Sequence, residues 1–206
     1  AEWFTGSPVD DRYISVIHRT LRLQMENIAL IGMPGCGKSC MGRAMSGKLK
    51  MKLIDSDKLI EKRYGKKLQE LIDELGVVEF RRIEEEVLLS IEGDNLVIST
   101  GGSAVYSEAG MKHLKELGKI FYLFCTYETV KERIGDFSKR GIVLKPGQTI
   151  KDLFDERAPL YKKYADVTIL CDGNAYPQYQ SAVIRAAKRF RSKDKKTSTE
   201  EKEGLD

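Results

Sequence analysis

Short apolar runs alternate along this chain with longer segments in which apolar side chains recur every three or four positions. The first run, Ile28-Ala29-Leu30-Ile31, is a continuous apolar block of the kind found in strands buried on both faces. Behind it, Met41, Ala44, Met45 and Leu49 fall at helical spacing. Met51 to Ile54 reads as a second strand, Leu96 to Ser99 as a third, 119–124 as a fourth and 166–170 as a fifth. Helical patterns lie between them at 58–64, 68–75, 77–91, 107–117, 127–134, 150–164 and 178–190. The 77–91 segment carries Phe80, Ile83, Val87 and Ile91 on one stripe, and Gly76 stops the helix before it. Strands alternating with helices predict one α/β domain.

The flanks differ from this domain, which spans 27–190. Residues 1–26 read as an N-terminal extension, with a turn at Gly6 and Pro8 and a moderately amphipathic helix over 11–25 (Ile14, Ile17, Leu21, Met25). From Arg191 onward Lys, Glu, Ser and Thr dominate, and 191–206 is expected to be a disordered charged tail.

The first strand runs directly into Gly32-Met33-Pro34-Gly35-Cys36-Gly37-Lys38-Ser39, a match to G-x-x-x-x-G-K-[ST] between a strand and a helix. Glycines let the backbone curl so that successive N–H groups converge, and the helix dipole adds partial positive charge there. Such a nest holds phosphate. Lys38 is placed to reach the β- and γ-phosphates of a nucleotide, and the Ser39 hydroxyl to ligate the accompanying Mg²⁺. The loop residues Gly35, Cys36, Gly37, Lys38, Ser39 and Cys40 are therefore candidates for binding the nucleotide.

Composition narrows the class further. The 206 residues leave room for one domain with a core that needs no disulfide or metal staple. Lys and Arg total 35 against 31 Asp and Glu, a formal charge of +4, and the basic residues are scattered, which argues against a nucleic-acid partner. The four cysteines (36, 40, 125, 171) form no C-x-x-C pair and only His18 and His113 accompany them. That pattern argues against structural zinc and for free thiols in a reducing compartment. No apolar run approaches the ~20 residues of a membrane span, and no signal-peptide pattern opens the chain, so a cytoplasmic location is expected.

Three further features carry candidate chemistry. Asp55 and Asp57 close the second strand; residues two apart in a strand face the same way, so both can point into the crevice at the sheet's carboxyl edge, as metal partner and general base. Asp57 also reads as the N-cap of the helix that follows. On the 77–91 helix, Arg81 and Glu84 lie three apart and can pair, as a carboxylate clamp or as a plain solvated salt bridge. Thr100-Gly101-Gly102-Ser103 is a second glycine turn at a strand end, where backbone must approach something closely. Finally, 135–149 is a glycine-containing loop of lid length, with Arg140 near its middle.

Taken in order, the phosphate loop, Asp55-Ser56-Asp57, Phe80-Arg81-Arg82-Ile83-Glu84, the Gly101-Gly102 turn, Arg140 in the lid and Arg157-Ala158-Pro159-Leu160-Tyr161 resemble shikimate kinase over residues 27–190. The resemblance implies a three-layer P-loop kinase fold: a five-stranded parallel sheet with helices on both faces and a mobile lid. It also implies transfer of the γ-phosphoryl group of ATP to the 3-hydroxyl of shikimate, in the pathway to chorismate and the aromatic amino acids. Position by position, it implies that Asp57 holds and deprotonates the hydroxyl, that Arg81 and Arg157 grip the shikimate carboxylate, and that Gly101 and Gly102 approach the ring. Lys38 and Arg140 would stabilise charge on the transferred group, Ser39 and, through water, Asp55 would hold Mg²⁺, and Arg133 would stack on adenine.

Two departures from the family pattern stand out. Ser103 replaces a third glycine, which would cost about 1–2 kcal/mol if the position were left-handed, and Gly141 follows Arg140 where the family has proline. The opening Glu2-Trp3-Phe4-Thr5-Gly6 resembles the end of shikimate dehydrogenase, implying a kinase fused to an upstream enzyme. The other readings open at this point are a gluconate or nucleoside monophosphate kinase, and a nucleotide-binding regulatory module with weak turnover.

Overall fold

A computed structural model describes residues 27–134, 142, 147–172 and 176–203, with side chains described up to 191. The extension 1–26, most of the lid segment including Arg140 and Gly141, and 204–206 lie outside the described residues. Strand β1 (Asn27–Ile31), fully buried, is the centre of a five-stranded sheet. It pairs in parallel with β3 (Leu96–Ser99) on one side and β4 (Gly118–Phe124) on the other. Strand β2 (Lys52–Asp55) pairs with β3, and β5 (Val167–Leu170) with β4, both in parallel. The order β2-β3-β1-β4-β5 therefore has its switch point beside β1, where open α/β sheets form a ligand crevice.

Local chemistry explains why β1 sits there. Its apolar side chains face helices on both sides, as a central parallel strand requires. The buried Asn27 pins its start: Nδ2 donates to the Gly93 carbonyl at 2.8 Å, and Oδ1 accepts from the Leu96 N–H at 2.8 Å. Gly118 starts β4 because a Cβ there would lie 2.0 Å from the Asn27 carbonyl oxygen.

The crossover from β1 through α1 (Lys38–Leu49) to β2 runs one way along the sheet, and the later crossovers run back. Right-handed connections then place α1 on one face and the following helices on the other. Helix α2 (Ser56–Tyr64) and α3 (Leu68–Leu89) lead into β3; α4 (Glu108–Leu117) leads into β4; α5 (Tyr127–Ile134) and α6 (Ile150–Tyr164) lead into β5. The last helix, α7 (Tyr176–Glu203), packs beside α1. The main core surrounds the sheet. A separate cluster of Ile60, Leu71, Ile72, Phe80, Ile83 and Val87 joins α2 to α3, so this pair carries its own small core.

At Gly76 the backbone leaves the helical region (φ 78°, ψ 166°), so α3 is two helical segments meeting at a kink, as the glycine stop predicted. Two expectations change. Helix α7 runs beyond Phe190 to Glu203, where no structure was expected; the Lys and Glu of that segment are good helix formers, a preference that lack of apolar content does not cancel. Ser103 has φ −88° and ψ −10°, ordinary right-handed backbone, so the conditional strain of a left-handed serine does not arise. All four cysteines are free thiols; Cys36, Cys125 and Cys171 are buried and Cys40 is exposed.

Candidate active site

The loop leaving β1 turns through Gly35 (φ 81°) and Gly37 (φ 92°), left-handed conformations that disfavour any side chain. Gly37 is the N-cap of α1 and makes no side-chain cap, which leaves the first N–H groups of the helix for an external anion. The Lys38 ammonium donates to the carbonyls of Gly32 (2.8 Å) and Met33 (3.0 Å), so its charge is held inside the loop. Cys36 differs from its loop neighbours. Its side chain is buried away from the cavity, and its N–H donates to the Met33 carbonyl at 3.3 Å, so it serves the loop's shape. Cys40 lies at the cavity wall.

This loop forms one end of a cavity of about 400 Å³. Gly35, Gly37, Lys38 and Ser39 line that end, and Asp57, Glu84, Gly101, Gly102 and Arg157 line the other. The second group comes from α2, α3, the turn after β3, and α6.

The structure corrects the reading of the two aspartates. Strand β2 ends at Asp55 and α2 begins at Ser56, so the two-residue strand alternation stops before Asp57. Asp55 is the cap, accepting from the Lys58 N–H at 3.3 Å, and Asp57 projects from the first helical turn into the cavity. Asp55 sits in register with Ser99 across the β2–β3 pair, and Ser99 Oγ lies 3.4 Å from Ser39 Oγ. Ser39, Ser99 and Asp55 thus collect oxygen donors beside the phosphate loop. No sequence motif singled out Ser99; its position at a strand's carboxyl end was the available signal.

Gly101 has no left-handed requirement, and its need for glycine is spatial. A Cβ there would lie 2.7 Å from Asp57 Oδ1 and 2.7 Å from Glu84 Oε1. Two carboxylates therefore close over one backbone atom. Burial pushes the Asp57 carboxyl up to about 6 against the pull of Lys38, with Asp55 and Glu61 adding to the rise. Burial pushes Glu84 up to about 7; the Ser103 hydroxyl pulls it down, Asp57 pushes it up, and Arg157 and Arg81 pull it down. Glu84 Oε2 is buried with no hydrogen-bond partner.

The expected ion pair between Arg81 and Glu84 does not form among the described residues. Arg81 instead lies over the Tyr106 ring, its Cζ 4.0 Å from the centroid, and lines a smaller neighbouring pocket with Tyr106 and Ser103. Helical spacing allowed the pair, but a flat guanidinium gains more on a half-buried aromatic face than beside a carboxyl that burial tends to neutralise. Arg157 is 1 % exposed and reaches the main cavity, with Nη1 3.1 Å from where a Cβ on Gly102 would be. One turn on, the Tyr161 hydroxyl donates to the Gly102 carbonyl at 2.7 Å and fixes the glycine turn.

Arg133, on α5, packs its Cβ against the Gly35 position (3.4 Å) and donates from Nη1 to Cys125 Sγ at 3.4 Å. Its Cζ is 5.9 Å from the Tyr179 ring centroid, which puts it beside the outer side of the phosphate loop.

Residues 34–188 match the family described as Shikimate kinase. The shikimate kinase of Persephonella marina is 35% identical over 161 residues, covering 78% of this chain and 98% of the relative. That of Thermodesulfovibrio yellowstonii is 36% identical over 169 residues, covering 81% and 97%. Among solved structures, a shikimate kinase from Acinetobacter baumannii in complex with shikimate superposes with a TM-score of 0.71 at 29% identity, covering 82% of this chain and 96% of that one. A shikimate kinase from Aquifex aeolicus gives 0.65 at 29% identity, with 79% and 97% covered. A parallel sheet switching at a phosphate loop, with carboxylates and a buried arginine across one cavity, is thus found in a chain that belongs to the shikimate kinase family.

Proposed function

We propose that this chain transfers the γ-phosphoryl group of ATP to the 3-hydroxyl of shikimate. The observation that carries the reading is one cavity with a phosphate nest at one end and a buried, partly unsatisfied guanidinium at the other. A compact acid bearing both a hydroxyl and a carboxylate spans those ends. Family membership favours shikimate over gluconate or a nucleoside monophosphate.

The loop's N–H groups and the α1 N-terminus bind the phosphates, and Lys38 places its charge where the transferred group becomes most negative. Arg157 takes the substrate carboxylate, which turns the ring so that its hydroxyl meets Asp57. The Asp57 carboxylate accepts the hydroxyl proton as that oxygen attacks phosphorus; a carboxyl pushed up to about 6 is a stronger base than an exposed one. Gly101 keeps the floor low enough for the ring to reach Asp57. The hard oxygen donors at Ser39 and Ser99, with Asp55 beside them, suit Mg²⁺, which they would hold and which would supply neutralisation of phosphate charge. Arg133 would flank the nucleotide base, and Arg140, by the family resemblance, would add a second cation.

A coupled assay of ADP release tests the reading against shikimate, quinate, gluconate and nucleoside monophosphates. Shikimate should stimulate release far above the rest. Equal stimulation by gluconate or by a nucleoside monophosphate would refute it.

A further inference from the structure

Tyr106 belongs to no motif, yet it touches both arginines of the substrate end. It sits at the end of the 3₁₀ turn Ala104–Tyr106, where its N–H donates to the Ser103 carbonyl at 3.0 Å. Its ring contacts two guanidinium groups, with Arg81 Cζ 4.0 Å and Arg157 Cζ 5.1 Å from the centroid. Its hydroxyl accepts from Arg157 Nε at 3.3 Å and donates to Glu156 Oε1 at 2.8 Å. Glu156 is held in turn by Gln148 Nε2, 2.8 Å from its other oxygen.

A phenol has one proton and two lone pairs, so donation to Glu156 fixes the hydroxyl with a lone pair towards Arg157. A guanidinium can grip a carboxylate through its Nε–Nη edge or through its Nη1–Nη2 edge. Here Nε is taken, while Nη2 is buried with no partner and Nη1 lies against the Gly102 turn. Only the Nη1–Nη2 edge is left for an anion in the cavity. The same ring also holds Arg81, which lines the neighbouring pocket.

We propose that Tyr106 is a positioning residue for substrate recognition, which selects the Nη1–Nη2 edge of Arg157 for the shikimate carboxylate and holds Arg81 at a set distance from it. The proposal rests on the shikimate assignment above and adds to it the residue that orients the carboxylate clamp.

Tyr106→Phe keeps the ring and removes the hydroxyl, which frees Arg157 Nε and lets the guanidinium turn. Loss of one such hydrogen bond should raise the shikimate KM about threefold to tenfold. kcat and the KM for ATP should stay within about twofold, since neither proton transfer nor the phosphate nest involves this hydroxyl. Tyr106→Leu, which also removes the ring that both arginines contact, should raise the shikimate KM further. A shikimate analogue with a carboxamide in place of the carboxylate should bind wild type and Tyr106→Phe nearly alike. A thermal melt on each variant checks that folding is intact. A shikimate KM unchanged in both variants, or a matching rise in the KM for ATP, overturns the role of Tyr106 while wild-type turnover of shikimate leaves the parent assignment standing. If wild type itself releases no ADP in response to shikimate, both fall together.

Discussion

The two ends of the cavity are built in opposite ways. At the phosphate end almost every contact is local: Lys38 donates to carbonyls five and six residues back, and the glycines that shape the nest lie within the same loop. At the substrate end the contacts that assemble the site are long-range. Tyr106 and Arg157 are 51 residues apart, Tyr161 reaches Gly102 across 59, and Asp57 and Glu84 meet over Gly101. The local end satisfies its buried side-chain polar groups, while the assembled end keeps three buried polar atoms, Arg81 Nε, Glu84 Oε2 and Arg157 Nη2, without partners. Unsatisfied buried atoms cost roughly 1–3 kcal/mol each. A bound carboxylate can recover part of that cost at Arg157, so the end that recognises a particular substrate is also the end that is strained without it.

The largest effect should come from the local end. Lys38→Ala removes a preorganised charge aimed at the phosphates, and turnover should fall by about 10²–10³ or more. A steady-state ADP assay at saturating substrates reads this directly. Retention of more than about a tenth of the wild-type rate would mean that the loop is not the catalytic nucleotide site, and the contrast between the two ends would collapse.

A smaller, selective effect is expected at the assembled end. Arg157→Lys keeps the charge but loses the fork, and should raise the shikimate KM about tenfold to a hundredfold, with the KM for ATP nearly unchanged. Arg81→Lys should do less, because Arg81 lines the neighbouring pocket and stands on the Tyr106 face. A matrix of KM values for both substrates separates these outcomes. Equal effects at the two arginines would show that Arg81 enters the main cavity when substrate binds.

The same contrast explains what could be read before the structure. The phosphate loop was legible because its function depends on glycine φ values and helix polarity, which a contiguous motif encodes. The strands and most helices were legible because a central parallel strand must be apolar throughout and a packed helix must carry a stripe. Asp57 was found for a reason that did not hold, since strand alternation ends at Asp55 and the first turn of α2 delivers Asp57 to the cavity. The Arg81–Glu84 pair was drawn from spacing along one helix, which contains no information about Tyr106 arriving from the turn after β3. Tyr106 left no sequence signal of its own and Ser99 only its place at a strand's carboxyl end, because their roles exist only once β2 is in register with β3 and α6 lies over the 3₁₀ turn.

The smallest predicted effect is on stability, and it tests whether the assembled end is strained as described. Burial pushes the Glu84 carboxyl from an ordinary 4.5 to about 7, with Asp57 close by. Between those values the folded chain holds a proton that the unfolded chain has released. The unfolded state then binds fewer protons, so this group's contribution to stability falls as pH rises from about 4.5 through 7 and levels off above. Glu84→Gln replaces the carboxyl by a neutral group of the same shape and removes that dependence. The variant should melt close to wild type near pH 5 and above it at pH 8, with the gap opening across the interval. A gap that is constant with pH, or one that opens in the other direction, would show that Glu84 is ionised in the folded chain throughout, held by Arg157 and Arg81 more strongly than burial opposes it.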